Sequence, residues 1–483
     1  MNSINFDNSY ARLPERFFAK LDPKAVKHPE LIALNDELAA ELNLDPRELR
    51  SSAGVAALSG NERLAGSEPL AMAYAGQQFG NWVPQLGDGR ALLLGEVLDR
   101  KGVRRDIQLK GSGPTPFSRM GDGRAWLGPV MREYIVSEAM AALGVPTTRA
   151  LAAVSTGEQV IREDILPGAI LTRVSLSHVR VGTFQFFAAR RDEDGLRALA
   201  DYTIDRLYPD VAEAEDPYIG LFGKVVERQA QLVAKWMNLG FIHGVMNTDN
   251  VSIAGETIDY GPCAFMDDYH ADRVFSSIDQ HGRYAFCNQP RIAHWNLVQL
   301  AQSLLPLFSG QQEEALAAAQ ATVDRFPQIY TQAHREGFNA KIGLKTIHEG
   351  DAELGNDLLS LMAANGADFT LTFRQLGVED PALFLSHFED KSAIDRWLKR
   401  WRMRLEQEEA TDALSLMKSA NPAIIPRNHR IEQAIQASLE GDFAPFHRLN
   451  DALAEPYRER ADYADLTQPP LAKEIVAQTF CGT

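Results

Sequence analysis

Apolar residues follow two rhythms along this chain. From Arg90 to Leu98 they run almost unbroken, and from Val103 to Lys110 they alternate with polar residues as Val103, Ile107 and Leu109. Asp99-Arg100-Lys101-Gly102 lies between the two stretches, so the pattern predicts two strands joined by a turn. Pro129–Leu143 reads as a helix, with Pro129 suited to its first turn and Gly144-Val145-Pro146 ending it. Two short apolar stretches follow, Ala150–Val154 and Gln159–Ile161, split at Thr156-Gly157. Tyr218–Leu239 carries the clearest helical period: Leu221, Phe222, Val225, Val226, Leu232, Val233, Trp236 and Met237 share one broad face, and Gly240 ends it. Val251–Ile253, a turn at Gly255 and Thr257–Asp259 then predict a short hairpin. Pro29–Leu42 is patterned as a helix, and from Trp295 onward the texture is helical to the end. The later helices are expected to pack on the part of the chain that holds the Tyr218–Leu239 helix.

Composition narrows the setting. The chain has 483 residues, 45% of them hydrophobic, enough for a large core and several domains. Its formal net charge is −16, which argues against a nucleic-acid or anionic-membrane partner. The same acidic background makes any local group of Arg and Lys informative. Cys263, Cys287 and Cys481 form no CxxC and no zinc-like spacing, which fits a reducing compartment. The N-terminus has no apolar h-region and no run of about 18 apolar residues occurs, so a cytoplasmic protein is expected; a monomer is the working expectation, though nothing in the sequence fixes the oligomeric state.

The candidate chemistry centres on His243-Gly244-Val245-Met246-Asn247-Thr248-Asp249-Asn250, followed by Asp259-Tyr260-Gly261. The layout is that of a kinase catalytic loop and its metal-binding triplet, with Val245 where a kinase has its catalytic Asp. Asn250 and Asp259 offer an amide oxygen and a carboxylate, hard donors suited to a divalent cation on a triphosphate. Lys110 ends a predicted strand and could reach phosphates, held by a carboxylate of the next helix. Glu133, in its first turns, is favoured for that role over Glu138. Gly87-Asp88-Gly89-Arg90 would let backbone N–H groups approach phosphates, although a hairpin turn explains it equally well. Arg90, Arg173 and Arg180 add fork-shaped permanent charge, and with Lys110 would make a triphosphate clamp. Asp249 could orient or deprotonate a hydroxyl, or hold a water. The repeated pentapeptide at Gly87–Ala91 and Gly121–Ala125 marks two Gly-rich loops. The basic segment Arg396–Arg404 places Trp397 and Trp401 on one face, and packing of the tryptophans explains it better than a nucleic-acid site. His270, His281 and His294 have no ligand spacing. The expected fold is α+β and protein-kinase-like, two-lobed, with a helical C-terminal extension. Its divisions are an N-terminal extension over 1–65 packed on the core, a small β-rich lobe over 66–170 with one main helix, a large helical lobe over 171–325, and the extension over 326–483. An ordinary kinase using the γ-phosphate and a non-catalytic ATP-binding scaffold are the alternative functions at this point.

Long motifs go further. FDNSYARLP at Phe6–Pro14, YAGQQFG at Tyr74–Gly80, LGDGRALLLGE at Leu86–Glu96, LKGSGPTPFSRMGDGRA at Leu109–Ala125, HGVMNTDN, DYGPCAFMDDY at Asp259–Tyr269 and GRYAFCNQP at Gly282–Pro290 resemble the selenoprotein O (SelO) family, essentially end to end. The resemblance implies a protein adenylyltransferase of kinase-like fold that moves AMP from ATP to Ser, Thr or Tyr hydroxyls of proteins. It implies ATP bound in the reverse of the kinase orientation, which accounts for Val245. It further implies that Lys110 pairs with Glu133, and that Gly87, Gly89, Arg90, Asp122, Gly123, Arg173 and Arg180 line the nucleotide pocket. Asp249 would be the proton acceptor, and Asn250 and Asp259 would hold Mg²⁺ or Mn²⁺. Many members carry a selenocysteine or cysteine near the C-terminus, matched here by Cys481. Where some bacterial members have a partner cysteine this chain has Phe275, so Cys481 is expected free or only loosely paired, with Cys263 or Cys287 as substitute partners.

Overall fold

The computed structural model describes residues 4–378, 380–408 and 412–479. Its β-structure lies in the first part of the chain. The strands are β1 (Phe18–Lys20), β2 (Glu30–Leu34), β3 (Leu70–Met72), β4 (Gly76–Gln78), β5 (Asn81–Val83), β6 (Ala91–Leu98), β7 (Arg104–Lys110), β8 (Ala125–Trp126), β9 (Arg149–Ile161) and β10 (Ile165–Ser175), with β11 (Phe241–Ile242) and β12 (Ala264–Phe265) further on. The main sheet is antiparallel in the order β1-β3-β6-β7-β10-β9-β2, with β8 added alongside β10. Outside it, β4 pairs with β5 and β11 with β12.

The sheet is covered on both faces, which explains why β6 reads as an apolar run rather than an alternation. One face packs Leu94, Ile107, Leu109, Leu151, Ile170 and Val174 against Leu38, Leu42, Leu49 and Leu58. Those leucines belong to the helices α1 (Asp36–Glu41), α2 (Pro46–Leu49) and α3 (Ser52–Leu58) or to their ends. The other face meets α4 (Leu127–Ala142), which buries Val130, Met131, Ile135 and Ala139. The helices α5 (Val181–Ala189), α6 (Glu193–Leu207) and α7 (Pro217–Leu239) follow β10. Asp216 caps α7 by accepting from the N–H groups of Tyr218 and Ile219 at 3.0 and 3.1 Å, and Gly240 ends it at φ 70°. From Gln289 onward the described elements are helices.

The structure differs from the sequence pattern at four places. Pro29–Leu42 is not one helix: Glu30–Leu34 is strand β2, paired with β9, and α1 begins only at Asp36. Its apolar positions serve both an edge strand and a short helix, and Asn35, whose side chain accepts from Leu38 N–H at 3.0 Å, marks the join. The two stretches between Ala150 and Ile161 are one strand, β9, which runs through Gly157. Val251–Asp259 forms a turn whose arms bind other elements instead of each other, Ser252 bridging Arg180 and Thr257 bridging Thr147. The later helices do not keep to one part of the molecule. Phe326–Lys341 packs on α7, whereas Asn428–Leu439 and Ala444–Leu453 pack on α4. Arg132 of α4 donates to Asn428 Oδ1 at 2.6 Å and pairs with Glu432 at 2.7 Å, and the Tyr134 and Phe446 rings meet edge-on at 5.5 Å. That second neighbour is why α4 is buried nearly all round.

Trp397 and Trp401 are buried and stacked with ring centroids 5.9 Å apart, their indole N–H groups donating to the carbonyls of Leu354 and Ile342 at 2.8 Å each. Among the described residues no helix is long and apolar enough to cross a membrane.

Candidate active site

Antiparallel register brings the first two site residues together. Arg173 on β10 lies opposite Gln108 on β7, two residues from Lys110. The Arg173 guanidinium donates to Gln108 Oε1 through Nε at 3.2 Å and Nη2 at 2.6 Å, while Nη1 reaches Glu133 at 3.1 Å and Asp259 at 2.7 Å. Lys110 Nζ pairs with Glu133 at 2.5 Å and with Asp259 at 3.0 Å. Glu133 is buried on α4 and serves both cations. Glu138, the other acid of that helix, is engaged elsewhere, with Arg149 at 2.6 Å and Asn35 at 2.7 Å.

Asp259 sits at the centre of this cluster. Its backbone is left-handed at φ 64°, uncommon for a non-glycine residue and best tolerated by Asp or Asn. Burial opposes its charge, but Lys110, Arg173 and Arg180 prevail and hold its carboxyl well below the usual range. His243 fixes the preceding residue: its Nε2 bonds the carbonyl of Ile258 at 2.9 Å, while its Nδ1 accepts from Val245 N–H at 3.3 Å. Asn250 donates through Nδ2 to the carbonyl of Val245 at 3.0 Å, which leaves its Oδ1 as the donor atom for a ligand. Burial raises the Asp249 carboxyl to about 6.

Arg180 is delivered by the turn after β10. Its Nη1 donates to the carbonyl of His178 at 3.0 Å, its guanidinium lies 4.6 Å from the centre of the Tyr74 ring, and it stands 3.6 Å from Asp259 and 3.7 Å from Asp88. Two buried acids hold that turn. Glu256 accepts from Ser175 Oγ at 2.7 Å and Leu176 N–H at 2.9 Å, and Asp106 accepts from His178 N–H at 2.9 Å. Burial pushes Glu256 up to about 7 and His178 down to about 4.

These side chains open onto a cavity of about 560 Å³. Gly87, Gly89, Arg90, Lys110, Asp122, Gly123, Arg173, Arg180, Asp249, Asn250 and Asp259 all line it. Glu133 does not; it stands behind Lys110 and Arg173. Gly123, at φ 66°, runs against the backbone of Gly113, and a Cβ there would lie 2.1 Å from the Gly113 carbonyl carbon. Asp122 accepts from Arg124 N–H at 2.9 Å and pairs with Arg162 at 2.9 Å at the mouth of the cavity. A second cavity, about 640 Å³, lies between α1–α2 and the end of β6 and is lined by no Lys, Arg or His, so it has no charge to receive phosphates.

Among the described residues no three His, Cys, Asp or Glu side chains gather as a metal site. The two oxygen donors of Asn250 and Asp259 nevertheless fit a hard divalent cation that takes its other ligands from phosphate and water. Sequence reasoning missed several neighbours. Tyr74, Gln78 and Phe79 line the cavity, as does the buried Asp88, which accepts from Met72 N–H at 3.1 Å and Gln108 Nε2 at 3.2 Å. No spacing rule marks an uncharged Gln or an aromatic as part of such a site, and Asp88 reads as a turn residue. Cys481 lies outside the described residues; Cys287 is exposed, and Cys263 is buried.

A family profile described as protein adenylyltransferase SelO matches residues 1–454. The protein nucleotidyltransferase YdiU of a Bradyrhizobium species is 59% identical over 485 residues, covering 99% of each chain. The proteins of the same name from Methylorubrum populi and Rhodopseudomonas palustris are each 58% identical, again over 99% of both chains.

Proposed function

The chain belongs to the SelO family of protein adenylyltransferases, and we propose that the cavity between β7, β10 and the 243–262 loop is where it transfers AMP from ATP to Ser, Thr or Tyr hydroxyls of proteins. One observation carries this reading: Arg90, Lys110, Arg173 and Arg180, the Asn250–Asp259 donor pair and Asp249 all line a single cavity of about 560 Å³. The surrounding architecture is read as kinase-like, with a β-rich lobe above the cleft, a helical lobe below it, and N- and C-terminal extensions packed on both.

In this reading the acceptor oxygen attacks the α-phosphorus, the bond from that phosphorus to the β-phosphate bridging oxygen breaks, and pyrophosphate leaves. Asp249 takes the hydroxyl proton. Lys110, Arg90, Arg173 and Arg180 hold the phosphates and offset the charge that grows on the leaving group, with Lys110, Arg173 and Arg180 fixed in place before the reaction by Glu133, Gln108 and the 175–180 turn. Gly87, Gly89 and Gly123 let backbone come close to the nucleotide, with Asp122 at the rim. Asn250 and Asp259 would hold Mg²⁺ or Mn²⁺, which supplies further charge neutralisation on the phosphates when bound. Val245 agrees with ATP lying in the reverse of the kinase orientation, because no γ-phosphate chemistry is then needed beside it. The working form is taken to be a cytoplasmic monomer.

Labelling with ATP tests the assignment. Label from the α-position should appear on protein, label from the γ-position should not, and the adduct should add the mass of AMP less water to a Ser, Thr or Tyr. Label from the γ-position alone would establish a kinase, and ATP binding with no label from either would establish a scaffold.

A further inference from the structure

The assigned chemistry gives no role to the hairpin β4–β5. Yet three consecutive residues of it are bonded to the 243–262 loop. Gln77 N–H donates to Thr248 Oγ1 at 2.7 Å, Gln78 Nε2 to Asp249 Oδ2 at 3.3 Å, and Phe79 N–H to Asn247 Oδ1 at 2.9 Å. Asn247 Oδ1 also accepts from the Tyr284 hydroxyl at 2.6 Å, and the Phe79 ring meets the Tyr284 ring at 5.2 Å. Phe79 has a left-handed φ of 52°, a conformation an aromatic residue takes only when its surroundings demand it. Gly76 closes the contact: a Cβ there would stand 2.6 Å from Asp249 Oδ1. The hairpin backbone therefore lies directly on the Asp249 carboxylate.

We propose that Gln78 is the positioning residue for Asp249, and that β4–β5 forms the acceptor-side wall of the cleft. The proposal rests on the assignment of Asp249 as proton acceptor. Among the described residues Gln78 is the one side chain that donates to this carboxylate, whose other oxygen is buried without a partner. The terminal torsion of an Asp side chain is broad, so without a donor the carboxylate turns away from the attacking oxygen. Proton transfer needs the two oxygens within hydrogen-bond reach, and an error of about 1 Å costs about 10²-fold in rate. An uncharged amide supplies the aim without a cation that would compete with the incoming proton. Gln78 is half-buried and lines the cavity, so replacing it leaves the core intact.

The test compares Gln78→Met, Gln78→Glu, Asp249→Asn and the double variant Gln78→Met/Asp249→Asn in the full chain, reading label transfer from α-labelled ATP over a range of ATP concentrations. Gln78→Met should lower kcat by about 10- to 100-fold, with KM for ATP and the melting temperature unchanged. Gln78→Glu, of the same shape but without a donor, should be no better. The double variant should be no slower than Asp249→Asn alone. Wild-type kcat in Gln78→Met beside an inactive Asp249→Asn would reject Gln78 and leave Asp249 standing. Multiplied losses in the double variant, or kcat, KM and melting temperature falling together, would also reject the positioning role. Activity retained in Asp249→Asn would remove the proton acceptor and this proposal with it.

Discussion

Glu256 is a buried acid with no ion pair among the described residues, and its carboxyl is raised to about 7. A carboxyl raised on folding contributes stability that is fully present below its unfolded value, near 4.5, and is lost as pH climbs through 7. Glu256→Gln keeps an oxygen for Ser175 and Leu176 and removes the charge. It should therefore melt higher than the wild type at pH 8, by on the order of 1–3 kcal/mol, with the gap closing toward pH 5. A gap that does not change with pH would reject the account. Asp259 is the opposite case, an acid held ionised by cations. Asp259→Asn keeps the left-handed backbone, which Asn tolerates, and should leave folding intact while divalent-dependent transfer falls by at least about 10²-fold. Unchanged turnover would take Asp259 out of the site. At this scale the sequence is legible where a charge has a reason to be where it is. Lys110 at a strand end and Glu133 on the next helix announce a pair that the structure has at 2.5 Å. Gln78 announces nothing, because an uncharged side chain gains its meaning only from the loop 171 residues away that it touches.

The same contrast separates the elements. The β6–β7 hairpin, α4 and α7 are readable because each is bounded by a strong turn or stop signal, and α7 also presents one broad apolar face. The Val251–Asp259 arms were not, because their partners Thr147 and Arg180 come from distant segments that local alternation does not encode. The helix Lys391–Leu405 shows how far composition alone can be trusted. Its Arg396, Lys399, Arg400 and Arg402 are exposed, and Trp397 and Trp401 are buried. Replacing Arg396, Lys399 and Arg402 with Gln should change unfolding free energy by no more than about 0.5 kcal/mol each. Trp401→Ala should cost about 3–5 kcal/mol by chemical denaturation, as expected for a buried aromatic whose N–H also satisfies the carbonyl of Ile342. Near the other end of the chain, Thr479 donates from its hydroxyl to the carbonyl of Pro262 at 2.5 Å and from its N–H to the carbonyl of Phe275 at 2.8 Å. Thr479→Val should expose the amides of 275–277 to faster hydrogen exchange, at a cost of about 1–2 kcal/mol.

Over the whole molecule, a chain of net charge −16 gathers Arg90, Lys110, Arg173 and Arg180 into one cleft. Asp259 and, behind it, Glu133 pair with Lys110 and Arg173, and Arg180 stands 3.6 Å from Asp259 and 3.7 Å from Asp88, so these three cations are held in place by the protein's own acids. If ATP binds there as proposed, it meets a site that already exists, and binding should stabilise the folded chain by about 2.7 kcal/mol at a hundred times its Kd. ATP with Mg²⁺ should raise the melting temperature accordingly, and Arg90→Gln should shrink that rise together with an increase in KM. An equal rise in the variant would show that Arg90 does not meet the nucleotide.

The contacts that make the cleft also set when it can exist. Lys110 meets Asp259 across 149 residues, Gln78 meets Asp249 across 171, and Arg132 of α4 waits 300 residues for Glu432. During synthesis the glycine-rich loops leave the ribosome before the 243–262 loop that forms the other wall of the cleft, and α4 stays uncovered until the last helices emerge. With the site proposed above, the enzyme should stay inert while it is being made, and a truncated product ending before the 243–262 loop should label no protein.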